Sequence, residues 1–93
     1  MVWTILRQKI DDWIVRRLRS PNKRFQISGH IFDISVDDIV WRVRTDLSYD
    51  GINEGVFLVD SPDEFGYISR WIRRTLAING VVVDISEESI GKM

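Results

Sequence analysis

One stretch limits the available folds more than any other: residues 61 to 86, Ser-Pro-Asp-Glu-Phe-Gly-Tyr-Ile-Ser-Arg-Trp-Ile-Arg-Arg-Thr-Leu-Ala-Ile-Asn-Gly-Val-Val-Val-Asp-Ile-Ser. It opens with helix-start signals. Ser61 can cap, Pro62 suits a first helical position, and Asp63 and Glu64 favour the positive end of the helix dipole. Glu64 follows Ser61 at capping-box spacing. Asn79-Gly80 supplies residues that tolerate a left-handed exit. Between these signals Phe65, Ile68, Ile72 and Leu76 recur at helical steps, which predicts a helix over 62–79 with a core-facing stripe. Gly66, Arg70, Arg73, Arg74 and Ala77 share another side, which is basic. The β-branched run at 81–85 then reads as a strand.

Upstream, Trp3, Leu6, Ile10, Trp13, Ile14 and Leu18 repeat at three- and four-residue steps and predict an amphipathic helix over 2–19. Ser20-Pro21-Asn22 ends it, because proline cannot continue the hydrogen-bond ladder. Phe25, Ile27, Ile31 and Ile34 alternate in part around Ser28-Gly29, as expected for a short strand and a bend. Ser35 as a cap, Asp37-Asp38 in a first turn, and the apolar set Val36, Ile39, Val40, Val43 and Leu47 predict a further helix over 35–47. Trp41 falls off that stripe, either covering the core from the side or standing exposed as a contact residue. The connection from 48 to 60 holds Val56-Phe57-Leu58-Val59, a strand or an apolar plug. A small sheet of 25–28, 56–59 and 81–85 is the alternative way to join these pieces. The expected organisation is one α+β domain over 1–86, with three helices and a small antiparallel sheet, and a short, flexible acidic tail at 87–93.

Composition narrows the function classes. The 93 residues include no cysteine, which removes disulfides, thiol catalysis and zinc–thiolate sites. The chain opens with charge too early for a signal peptide, and no apolar run approaches about 18 residues. A cytoplasmic protein with no membrane contact is expected. His30 is the sole imidazole, phosphate-loop and nucleophile-elbow motifs are missing, and adjacent carboxylates such as Asp11-Asp12 diverge on a helix. The expectation is a non-enzyme without cofactor or metal. Asp46-x-Ser48-x-Asp50-Gly51-x-x-Glu54 matches the opening of an EF-hand calcium loop, but Phe57 stands where the closing glutamate belongs. An acidic solvated loop is the better reading.

An arginine-bearing helix that runs through Asn79-Gly80 into Val81-Val82-Val83-Asp84-Ile85 resembles the recognition helix and first wing strand of a winged helix-turn-helix domain, over residues 33–86. The resemblance implies a winged-helix-like fold and a small transcription regulator that binds double-stranded DNA. Carried over, the groove-facing residues are Gly66, Ser69, Arg70, Arg73 and Arg74, with Tyr67 reaching a phosphate and Lys23 and Arg24 flanking the duplex. The sequence departs from that pattern in its long second connection and its truncated wing. The net charge of −1 and pI near 5.7 are also unlike those of a dedicated nucleic-acid binder, whose pI is more often above about 9. The alternative is a protein–protein adaptor or inhibitor with Trp3, Trp13, Trp41 and Trp71 as interface residues, since aromatic side chains dominate hot spots. In either reading the 2–19 helix can pair with its copy in a homodimer.

Overall fold

The structure, a computed structural model, describes residues 2–18 and 23–83, with side chains from residue 8 onward. Its order is α1 (Val2–Leu18), β1 (Lys23–Ile27), β2 (His30–Val36), β3 (Val40–Tyr49), β4 (Ile52–Leu58) and α2 (Glu64–Ile78). The strands form one antiparallel sheet in the order β1-β2-β3-β4, each beside its sequence neighbour. Both helices lie on one face of that sheet, α2 against β3 and β4 and α1 against α2 and β1. The α+β class stands. The expectation of three helices, and with it the winged-helix-like arrangement, is overturned by two helices and a four-stranded meander.

The reversal concerns residues 35–47. Their apolar positions fit a helical stripe, yet Trp41, Val43, Thr45 and Leu47 are buried while Arg42, Arg44, Asp46 and Ser48 between them are exposed. That is period-two alternation, the pattern of a half-buried strand. Asp37 does not begin a helix. Its Oδ1 accepts the backbone N–H groups of Ile39 (3.1 Å) and Val40 (3.0 Å), so the carboxylate builds the β2–β3 turn. Where a short aspartate side chain satisfies two amides of a turn, the helix start it resembles is lost.

Two hairpins complete the meander. Asp50 and Gly51 take φ of 55° and 81°, and Ser28 and Gly29 take 50° and 85°, so both central residues of each turn are left-handed, as in a type I′ turn. The long connection at 48–60 is therefore the end of β3, a tight turn and β4. The strand expected at 56–59 is the second half of β4, and that at 25–28 overlaps β1.

The core is shared between layers. Ile10, Trp13, Ile14 and Leu18 of α1 meet Phe25, Ile27, Phe32 and Ile34, while Ile68, Ile72 and Leu76 of α2 meet Trp41, Val43 and Leu47. Aromatic rings order both halves. Phe25 stands edge-on to Trp13 and stacked on Phe32, Trp41 meets Phe65, and Phe57 meets Trp71. The apolar stripe of α1 is thus taken up inside the molecule at Ile10, Trp13, Ile14 and Leu18, rather than left for a second copy.

The ends of α2 differ from the expected caps. Its N-cap is Asp63, with no side-chain cap bond, so the Ser61–Glu64 capping box does not form. At the exit, Gly80 is left-handed at φ 67°, and Val81 N–H donates to Leu76 C=O (3.0 Å). Val81 and Val83 then pack on the core and Ser28 Oγ donates to Val82 C=O (2.6 Å), so 81–83 is a strap under the β1–β2 turn, not a wing strand. Asp84, Ile85 and the 87–93 tail lie outside the described residues.

Candidate interaction surface

Along α2, the side turned toward α1 carries Ser69 and Arg73. Ser69 is buried and its Oγ donates to Asp11 Oδ1 (2.8 Å), while Arg73 Nε lies 2.6 Å from the same oxygen. The Arg73 Nε–H does not point along that line, so the contact is an ion pair more than a directed hydrogen bond. Asp11 thus clamps two helices together, and two of the expected groove-reading residues belong to the fold. Arg70 and Arg74 remain exposed, with the Arg70 guanidinium 5.1 Å from the centre of the Tyr67 ring.

Lys23 and Arg24 do not join them. Both are on β1, and Arg24 alternates with the buried Phe25 and Ile27, which places it on the sheet face opposite the helices. Of the tryptophans, Trp13 and Trp41 are buried in the core, and Arg17 lies over the Trp13 ring at 4.8 Å. Trp41 Nε1 is buried with no hydrogen-bond partner among the described residues. Trp71 is half-buried against Phe57, and a Cβ on Gly55 would lie only 2.8–3.0 Å from these two rings. The Trp3 side chain lies outside the described residues. The expected DNA-facing and protein-facing sets are therefore scattered over the helix layer, the core and the open sheet face.

That open face carries a row of alternating charge across all four strands. Arg24, Asp33, Arg44 and Glu54 are successive register partners. Arg24 forks onto Asp33 through Nε (2.6 Å) and Nη2 (3.0 Å), and Arg44 Nε donates to Glu54. Beside this row, His30 Nδ1 lies 3.0 Å from Asp46 Oδ2, whose other oxygen accepts the Ile31 N–H (2.8 Å). Together these residues line an open depression with Asn53 and Ile31. Its charges neutralise one another in pairs. The residues of the calcium-loop pattern do not converge on a point, since Asp46 turns to His30 and Glu54 to Arg44.

Three carboxylates here are held below the usual range: Asp46 by the His30 hydrogen bond, Glu54 by the Arg44 hydrogen bond, and Asp37 by the Val40 and Ile39 amides. A folded state that resists protonation more than the unfolded chain is stabilised above the unfolded carboxylate range and loses that contribution as pH falls through the folded values. Melting temperature should therefore hold steady between about pH 6 and 8 as far as these groups decide it, and drop below about pH 4. Asp37→Asn should lower the neutral-pH melting temperature and flatten the acid limb. An unchanged acid limb would show that the β2–β3 turn does not supply it.

The β4 edge is different in kind. Among the described residues no strand lies beyond it, and Ile52, Val56 and Leu58 are exposed along it, at 56, 50 and 65%. Ile39, 68% exposed, joins them, because Val59 N–H donates to its carbonyl (2.9 Å). The same bond fixes the parity of the ladder. Residues 55, 57 and 59 turn their backbone groups toward β3, so Glu54, Val56 and Leu58 turn theirs outward. Leu58 C=O is bonded to Ser61 N–H (3.3 Å), which leaves the outward groups of Glu54 and Val56 and the Leu58 N–H. By contrast β1, at the other edge, carries Lys23, Arg24 and Gln26, charged and polar residues of the kind that deter strand addition. Sequence reading found Val56–Val59 as a strand but had no signal for its being an edge. No helix of the described residues is long and apolar enough to cross a membrane. Comparisons of the chain with protein-family models, with curated proteins and with solved structures find no match.

Proposed function

We propose that this chain is a non-enzymatic protein-interaction module whose contact surface is the β4 side of the sheet. The unprotected edge carries the reading. Natural sheets blunt their edges with charge, proline or bulges, and the 54–58 segment has apolar outward positions with Glu54 as its one charge. Strand addition uses such an edge: the backbone groups give affinity and alternate side chains give selectivity. The DNA reading keeps less support, because Ser69 and Arg73 are engaged with Asp11 and only Arg70 and Arg74 stay exposed as bases on α2.

A photo-crosslinking amino acid at position 56, compared with one at Gln26 on the opposite edge, tests the reading in cells and in purified protein. Protein adducts that form from position 56 and not from 26 are expected. Equal labelling from both positions would remove the edge from consideration. Salt-sensitive binding of a labelled random duplex that is lost in an Arg70→Glu/Arg74→Glu variant, with no adducts from 56, would return the function to nucleic acid.

A further inference from the structure

We propose that the partner seated on β4 is a second copy of this chain, paired antiparallel through β4 about a two-fold axis at Val56, so that two four-stranded sheets become one of eight. The inference rests on the edge-binding reading above and adds the identity of the occupant. Its basis is self-complementarity. A two-fold antiparallel pairing brings the same strand against itself, and it needs outward-facing backbone groups opposite outward-facing groups. Glu54, Val56 and Leu58 meet that condition in a small set of registers.

Charge selects among them. Centring the axis on Glu54 sets the two glutamates face to face, and centring it on Gly55 makes them diagonal neighbours, close enough to repel. Centring it on Phe57 places Glu54 opposite Asp60 of the other copy, again acid on acid. With Val56 on the axis, Glu54 faces Leu58, Ile52 faces Asp60, and no carboxylate meets another. Each Glu54 also stays bonded to Arg44 of its own chain. On the outer face, Val40 and Leu58 are register partners, so the exposed Val56 and Leu58 of both copies merge with Val40 into one apolar strip across the junction. On the inner face, Phe57 comes opposite Gly55 of the other copy, an aromatic beside a residue with no side chain to obstruct it.

Pairing with β1 of another copy would instead give an open, growing sheet. That route presents Lys23, Arg24 and Gln26, and Arg24 is already forked onto Asp33. The two-fold dimer is closed, and it hides the one apolar edge.

Sedimentation equilibrium on the full chain, with Val56→Lys and Leu58→Lys as variants, tests the association. The wild type should have a dimer mass at about 100 µM. Both variants should be monomers with unchanged circular dichroism, since these side chains are exposed. Because the chain has no cysteine, Val56→Cys places a single thiol on the axis. Directly opposed Cα atoms about 5.5 Å apart in such a pair are within disulfide reach. Oxidation should therefore give covalent dimer from Val56→Cys and not from a Gln26→Cys control. A monomer mass for the wild type at that concentration, or mass growing beyond the dimer, would overturn the proposal. A monomer in solution whose position-56 crosslinker still captures other proteins in cells would overturn the dimer alone and leave the edge-binding function standing.

Discussion

Phe32→Ala is expected to leave little folded protein. Phe32 is fully buried at the centre of β2, stacked on Phe25, with Ile34 on the same face and β3 alongside. Removing a buried phenylalanine ring costs about 3–5 kcal/mol through lost transfer energy and the cavity left behind. Domains of this size are held by about 5–15 kcal/mol in total, and small ones sit toward the lower end. Thermal melts followed by far-ultraviolet circular dichroism should show a broad transition or none at 37 °C, while Ile52→Ala on the exposed edge should melt like the wild type. A Phe32→Ala protein that melts within a few degrees of the wild type would mean that α1 is not packed on β1 and β2 as described.

The second large effect lies at the helix–helix clamp. Arg73→Glu sets a carboxylate against Asp11 in a setting where the Arg73 side chain is 20% exposed and that of Asp11 35%. Breaking a buried pair by removing one partner costs about 3–5 kcal/mol, and the partial exposure of both groups brings the expected loss to about 2–3 kcal/mol. Asp11→Ala should cost a similar amount, because it strands both Ser69 Oγ and the guanidinium. Arg70→Glu and Arg74→Glu, on the exposed side of the same helix, should change stability little. The exchange Asp11→Arg/Arg73→Glu should recover part of the loss, and a double-mutant cycle measures how much. Equal stability of Arg73→Glu and Arg70→Glu would show that no clamp exists. The contrast also bears on any binding assay, since lost activity in Arg73→Glu reports unfolding before it reports a lost contact.

What could be read from the sequence followed the strength of its local signals. Both helices were legible, because each carries an apolar stripe over several turns and ends at a proline or at Asn-Gly. The sheet was not. Val40, Val43 and Leu47 satisfy helical spacing as well as alternation, and the deciding evidence was the charge at Arg42, Arg44 and Asp46, read as an ordinary polar face. Asp50-Gly51 is a strong hairpin signal between Tyr49 and Ile52, but its carboxylates invited comparison with a calcium loop and hid the turn. The basic side of α2 was legible as a pattern. Its use was not, because nothing near Arg73 in sequence announces that Asp11 closes on it. Edge position is a property of the assembled sheet, so the contact surface proposed at β4 had no local signature at all.

The strand order has a further effect on how the polypeptide comes into being. Each strand pairs with the one made just before it, so the meander can zip up through short loops as it leaves the ribosome. Helix α1 is synthesised first yet has to wait, since the Asp11–Ser69 contact closes across 58 positions and α2 is the last element made. Until then Ile10, Trp13, Ile14 and Leu18 have no complete site to enter. The newborn chain passes through an interval with its greasiest helix uncovered, and it is in that interval, more than in the finished molecule, that a chaperone would have most to hold.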